Sequence, residues 1–109
     1  MQSTVIKSNR NTYFVKFPIN AHCEAEEILG KPITQLADAG IGTFRTLFYI
    51  GMKYSGNNVS MQEAGDMMQE VIADKGIDYF FGVISDAIQK SLSQQTNQNF
   101  KQSHNKKKY

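Results

Sequence analysis

The sequence predicts a mainly α fold of the α+β kind. It reads as a compact helical domain of four to five helices with an N-terminal β-hairpin and a disordered C-terminal tail. Three observations carry this expectation. Apolar residues recur at helical spacing through most of residues 20–92. The first 17 residues instead alternate around a polar turn. After Leu92 the apolar pattern stops, and residues 93–109 are dominated by Gln, Asn, Ser and Lys, with Phe100 and Tyr109 the only aromatics. Residues 1–92 are therefore expected to form a single helical domain, with the hairpin at 1–17, and 93–109 a basic polar tail.

In the hairpin, Val5 and Ile6 precede the polar run Ser8, Asn9, Arg10, Asn11. Tyr13, Val15 and Phe17 then share one face, and Thr12, Phe14 and Lys16 the other. Two strands alone are marginal in water, so the hairpin must rest on another element. Pro18 ends the second strand.

Asn20 is the expected N-cap of the first helix, whose apolar positions are Ala21, Ala25, Ile28 and Leu29. Gly30 terminates it and Pro32 lies just beyond. Glu24, Glu26 and Glu27 are expected to face solvent. A shorter helical piece over 32–39 carries Ile33, Leu36 and Ala37, and Gly40, Ile41 and Gly42 read as a joint.

The next helix is capped by Thr43 and carries Phe44, Leu47, Phe48 and Gly51 on one stripe, widened by Ile50 and Tyr54. So apolar a segment belongs at the centre of the core. Ser60 and Glu63 form a capping-box pattern, in which the serine hydroxyl accepts from the N3 amide and the glutamate reaches back. Behind it Ala64, Met67, Met68, Val71 and Ile72 keep helical spacing up to Gly76. Asp78 caps the last helix, which carries Phe80, Phe81, Ile84, Ala87, Ile88 and Leu92.

The formal net charge of +2 is an average over unlike parts. The tail holds four of the twelve basic residues and no acid, which leaves residues 1–92 with eight basic and ten acidic residues. A mildly acidic body excludes a polybasic nucleic-acid coat. One cysteine, Cys23, rules out an internal disulfide framework. No apolar run approaches the roughly 18–20 residues of a membrane span, and the first residues lack a signal-peptide layout, so a reducing cytosolic setting and no membrane partner are expected.

No catalytic constellation emerges, so no enzyme activity, catalytic residue, cofactor or metal is expected. His22 and Cys23 are adjacent, and adjacent helical residues point about 100° apart, which suits neither a shared metal nor a nucleophile–base pair. The simpler reading is a buried or half-buried thiol beside a surface imidazole. Gly40, Ile41 and Gly42 supply only half of a dinucleotide fingerprint, with no surrounding βαβ unit. Asp66, Glu70 and Asp74 form an acidic stripe along the capped helix. Its simplest role is solubility, and the same geometry would meet a basic partner.

Candidate partner contacts are adaptable methionines and aromatics: Met61, Met67, Met68, Phe80 and Phe81. Core filling competes with that role for Met67 and Met68. The tandem Phe80 and Phe81 cannot both face inward, so one is a candidate contact.

The order of these signals resembles a known family. Glu26-Glu27-Ile28-Leu29-Gly30-Lys31-Pro32-Ile33 resembles the acidic–acidic–aliphatic–Leu–Gly segment of the tail assembly chaperones of long-tailed bacteriophages and related gene transfer agents. Arg45-Thr46-Leu47-Phe48-Tyr49-Ile50-Gly51-Met52-Lys53 is similar to that family's central helix, and Ser60-Met61-Gln62-Glu63-Ala64-Gly65 to its next helix opening. Gly65 otherwise needs a reason, because glycine within a helix costs about 1 kcal/mol against alanine. Close packing at that turn would supply one. The resemblance spans residues 20–92.

It implies a non-catalytic binding protein whose partners are the tape measure protein and the tail tube protein, acting in the host cytoplasm and absent from the mature virion. Self-association fits such a role without being required. Many members also exist in a longer frameshifted form, with which a slippery codon run at Lys106, Lys107 and Lys108 would be compatible. The other reading is a small helical DNA-binding regulator, since capped helices joined by short turns also make a helix-turn-helix. Against it, the 61–75 helix carries Glu63, Asp66, Glu70 and Asp74 with only Lys75 basic, so nucleic acid is not the expected partner.

Overall fold

The computed structural model describes residues 3–33, 36 and 39–103, with side chains through residue 93. Alternation near the N-terminus is realised as two antiparallel strands, β1 (Thr4–Lys7) and β2 (Thr12–Val15), in the register Val5 opposite Phe14 and Ile6 opposite Tyr13. Ile6, Val15 and Phe17 point into the core, while Val5 and Phe14 form an exposed cross-strand pair. Phe14, the residue that breaks the sequence alternation, is thus on the outer face.

Four helices follow among the described residues: α1 (Ile19–Leu29), α2 (Ile41–Tyr54), α3 (Met61–Lys75) and α4 (Ile77–Ser103). The fifth piece expected over 32–39 falls largely on residues 34, 35, 37 and 38, outside the described residues. Ile33 beside it is buried, and its amide donates to Glu26 Oε2 at 3.0 Å. Glu26, expected to face solvent, therefore pins the chain that leaves α1. Gly30 makes that exit with φ 71°, a left-handed conformation suited to glycine, and its amide donates to Glu26 O at 2.7 Å.

Helix starts differ from the expected caps. α1 begins at Ile19 after Pro18, which presets φ near the helical value, so Asn20 lies inside the first turn. α2 begins at Ile41 after Gly40, so the expected joint is already helix and Thr43 is internal. Thr46 behaves likewise, its hydroxyl donating to Gly42 O at 3.1 Å. Asp78 lies in the first turn of α4, where its charge suits the helix dipole. The last helix, expected to end at Leu92, continues as backbone to Ser103, with no Gly or Pro after Gly82 to stop it. The boundary at 92–93 is therefore not a helix end, and residues 104–109 lie outside the described residues.

α2 is the central element, as its apolar stripe predicts. Phe44, Leu47, Phe48, Ile50, Gly51 and Met52 are buried along it. Phe48 packs edge-on to Phe80 of α4 (centroids 5.1 Å apart, interplanar 89°) and to Tyr13 of β2 (5.8 Å, 86°). The hairpin rests on the C-terminal half of α2. There a Cβ on Gly51 would lie 2.7 Å from Val15 Cβ and 2.8 Å from Phe17 Cζ. Glycine is what allows the strand to approach the helix so closely, and Lys16 N donates to Gly51 O at 3.0 Å across the same contact.

Candidate partner-binding surface

α3 forms as its capping box predicts. Ser60 Oγ accepts from Glu63 N at 3.0 Å, and Glu63 Oε1 accepts from Ser60 N at 2.8 Å. Ala64, Met68 and Val71 are buried, and Met67 and Ile72 are partly covered.

The acidic side of α3 is not simply a solvated stripe. The Glu70 carboxylate accepts from Ser8 Oγ, from Asn11 Nδ2 at 2.7 Å and from Tyr13 Oη at 2.7 Å. Asp74 Oδ2 accepts from Asn9 N at 2.9 Å. Two of the three acids therefore hold the hairpin turn, and Asp66 alone of the stripe stays exposed without such a bond. The donors, Ser8 first, then Tyr13 and Asn11, hold Glu70 below the usual carboxylate range. Burial, reinforced by the Glu70 hydrogen bond and charge, pushes Tyr13 up to about 12.

Glu24, also expected to face solvent, accepts from Lys53 Nζ and Tyr54 Oη, each at 2.8 Å, and so ties α1 to the end of α2. The Lys53 bond, then that of Tyr54, lowers the Glu24 pKa.

The five candidate contact residues separate. Phe80 is fully buried and Met68 is 3% exposed. Phe81 stacks on Phe44 with centroids 4.0 Å apart and 10° between planes, and it remains partly exposed. Met61 and Met67 are also partly exposed. Phe80 is therefore a core residue and not a contact. Phe80 and Phe81 do divide as their adjacency requires.

Met68 and Met67, adjacent on α3, line two different hollows. Met68 lines an open apolar hollow of about 190 Å³ together with Ile41, Gly65, Gln69 and Ile72. Ile41, at the rim, is 60% exposed, the most exposed large apolar side chain of those described. Met67 lines a second hollow of about 290 Å³ with Thr12, Tyr13, Met52, Val59 and the Asn57–Asn58 loop, a more polar setting.

Gly65 sits in the first hollow for a packing reason. A Cβ there would meet Arg45 Cδ at 3.2 Å, so the arginine stem of α2 lies across it. The close neighbour that a mid-helix glycine implies is thus a side chain rather than a backbone. Spacing alone does not bring Ile41, Arg45 and Ile72 together beside this hollow. The glycine inside α3 was the sequence signal nearest to them.

His22 and Cys23 are arranged opposite to expectation: Cys23 is exposed and His22 is buried. The inward face of α1 is Ala21, His22 and Ala25, which turns both Cys23 and Ile28 outward. His22 Nε2 lies 2.9 Å from Ser91 Oγ, whose hydroxyl donates to Ile88 O at 2.8 Å. Nδ1 is buried with no hydrogen bond within bonding geometry. Burial lowers the His22 pKa, opposed by the Phe17 backbone and the Glu26 charge.

Among the described residues no group of three or more His, Cys, Asp or Glu could hold a metal ion, and no helix is long and apolar enough to cross a membrane. Comparisons with family models, with curated proteins and with solved structures find no match for this chain.

Proposed function

We propose that this chain is a non-catalytic tail assembly chaperone of a long-tailed bacteriophage or related gene transfer agent. In this reading it binds the tape measure protein and helps recruit tail tube subunits in the host cytoplasm, and it does not remain in the mature virion.

One observation carries the reading. Gly65, the glycine that closes the third resembling segment, lines an exposed apolar hollow between α2 and α3. A long helical client with an apolar stripe needs such a surface to seat its side chains. The hollow is smaller than the roughly 300–1,000 Å³ of a small-molecule pocket and suits one or two side chains. The other resembling segments supply the joints of the framework behind it: Glu26 to Ile33, and Gly51 against Val15 and Phe17. The acids of α3 that hold the hairpin turn count against that helix entering a DNA groove.

The test is co-expression with the product of a long neighbouring open reading frame, followed by nuclease-treated affinity purification. Stoichiometric capture of that product and its rescue from aggregation are the expected results. Salt-sensitive retention on DNA, with no captured protein, would overturn the reading in favour of the regulator.

A further inference from the structure

The geometry points to the α2–α3 hollow as the seat of an amphipathic partner helix that carries an aliphatic anchor with a carboxylate one turn away, the carboxylate pairing with Arg45. The identity of the client rests on the functional reading above, whereas the chemistry of the seat does not.

The lining of the hollow is almost wholly aliphatic, with Ile41, Met68 and Ile72 around the bare surface of Gly65. Methionine at its floor can repack around different anchors. Arg45 is the cation beside it. Its Cδ lies 3.2 Å, and its guanidinium Nη1 4.0 Å, from where a Gly65 Cβ would stand. Arg45 is exposed and makes no ion pair among the described residues. The acids of α3 form no ion pair with it among the described residues: Glu70 and Asp74 hold the hairpin turn, Glu63 is committed to the cap, and the exposed Asp66 is not paired to it.

An apolar seat with an unpaired guanidinium at its glycine wall matches an aliphatic residue followed by an acid at helical spacing. A planar guanidinium favours a carboxylate geometrically as well as electrostatically. The domain body is otherwise mildly acidic, so a preference for an acidic ligand has to come from a local cation.

The test uses the full chain and two labelled synthetic helices of about 20 residues, long enough to hold helical structure in water. Both carry a leucine stripe. One places Glu, the other Lys, one turn from the central leucine. Anisotropy is expected to show the Glu peptide binding about fivefold more tightly. Arg45→Gln should abolish the preference and Arg45→Glu should reverse it, while Ile41→Asp weakens both peptides. Amide resonances of Gly65 and Ile72 should move on titration. Arg45 and Ile41 are exposed, and a thermal melt of each variant confirms that folding is retained.

A Glu preference that survives Arg45→Glu would overturn the proposal. So would shifts that avoid Gly65 and Ile72. A chain that sediments as a dimer and is split by Ile41→Asp would also overturn it, because the seat would then be covered by a second copy. If the peptides discriminate but no tape measure protein is captured, the functional reading fails and this inference stands. Capture that is indifferent to Arg45→Glu, with no peptide discrimination, sinks this inference alone.

Discussion

The Tyr13 hydroxyl donates to Glu70 Oε1 at 2.7 Å, joining β2 to α3 across 57 residues of chain. Together with Ser8 and Asn11 it makes Glu70 the anchor of the hairpin turn. Tyr13→Phe should cost about 1–2 kcal/mol, as expected for losing a hydrogen bond to a charged acceptor. Chemical denaturation measures it. In a spectroscopic titration of the wild type the Tyr13 phenol should ionise near 12, and in Glu70→Gln it should move back toward 10.0.

The Glu70 node and the Glu24 contact with Lys53 and Tyr54 together fix a pH dependence. Glu70 and Glu24 have folded pKa values below 4.5, so their stabilisation is present above 4.5 and lost as pH falls through the folded values. Tyr13 is raised, so its contribution is present below 10.0 and lost as pH rises toward about 12. Melting temperature against pH should therefore fall on both flanks. Glu70→Gln should lessen the loss on both.

His22 adds an earlier acid step. Its folded pKa lies below 6.5, so the unfolded chain binds the proton first and stability declines as pH drops from 6.5 toward the folded value. Replacing it with Gln, which can still bond Ser91, should remove that step while leaving the carboxylate step below 4.5. Denaturation midpoints across the acid range check this.

Glycines in the helices should respond in opposite directions. Gly51→Ala forces a Cβ to within 2.7 Å of Val15 Cβ and should destabilise by about 1–3 kcal/mol. A Cβ on Gly82, inside α4, meets nothing within 4 Å, so Gly82→Ala should stabilise by about 0.5–1 kcal/mol. Thermal melts of the two variants are a direct comparison.

The adjacent phenylalanines should also separate. Phe80→Ala opens a cavity beside Phe48 and should cost about 3–5 kcal/mol. Phe81→Ala removes a half-exposed ring stacked on Phe44 and should cost about 1–2 kcal/mol, the lost burial plus the stack. Equal losses would contradict the division of roles.

Periodicity made α2, α3 and the hairpin legible, because their patterns are local: alternation over β2, the Ser60–Glu63 box, the Phe44 to Gly51 stripe. What escaped depends on partners far along the chain. The burial of His22 is set by Ser91, 69 residues on, and two alanines beside it give a weak stripe that leaves the rotation of α1 open. Glu70 reads as one acid in a row until the hairpin turn is placed over it. Met68, for which core filling competes with a contact role, is buried, and the placing of Ile41 and Arg45 beside it depends on α2 lying against α3.

A two-stranded hairpin has two raw edges, and here each is held at one or two points by a helix. On β2, Lys16 N donates to Gly51 O at 3.0 Å and Phe14 O accepts from Ser55 Oγ at 2.7 Å. On β1, Lys7 N donates to Tyr79 Oη at 3.0 Å. Three outward backbone groups that could template another strand are bonded instead to the ends of two helices. In the proposed role, where the chain meets half-assembled partners, these bonds leave fewer backbone groups open to strand addition.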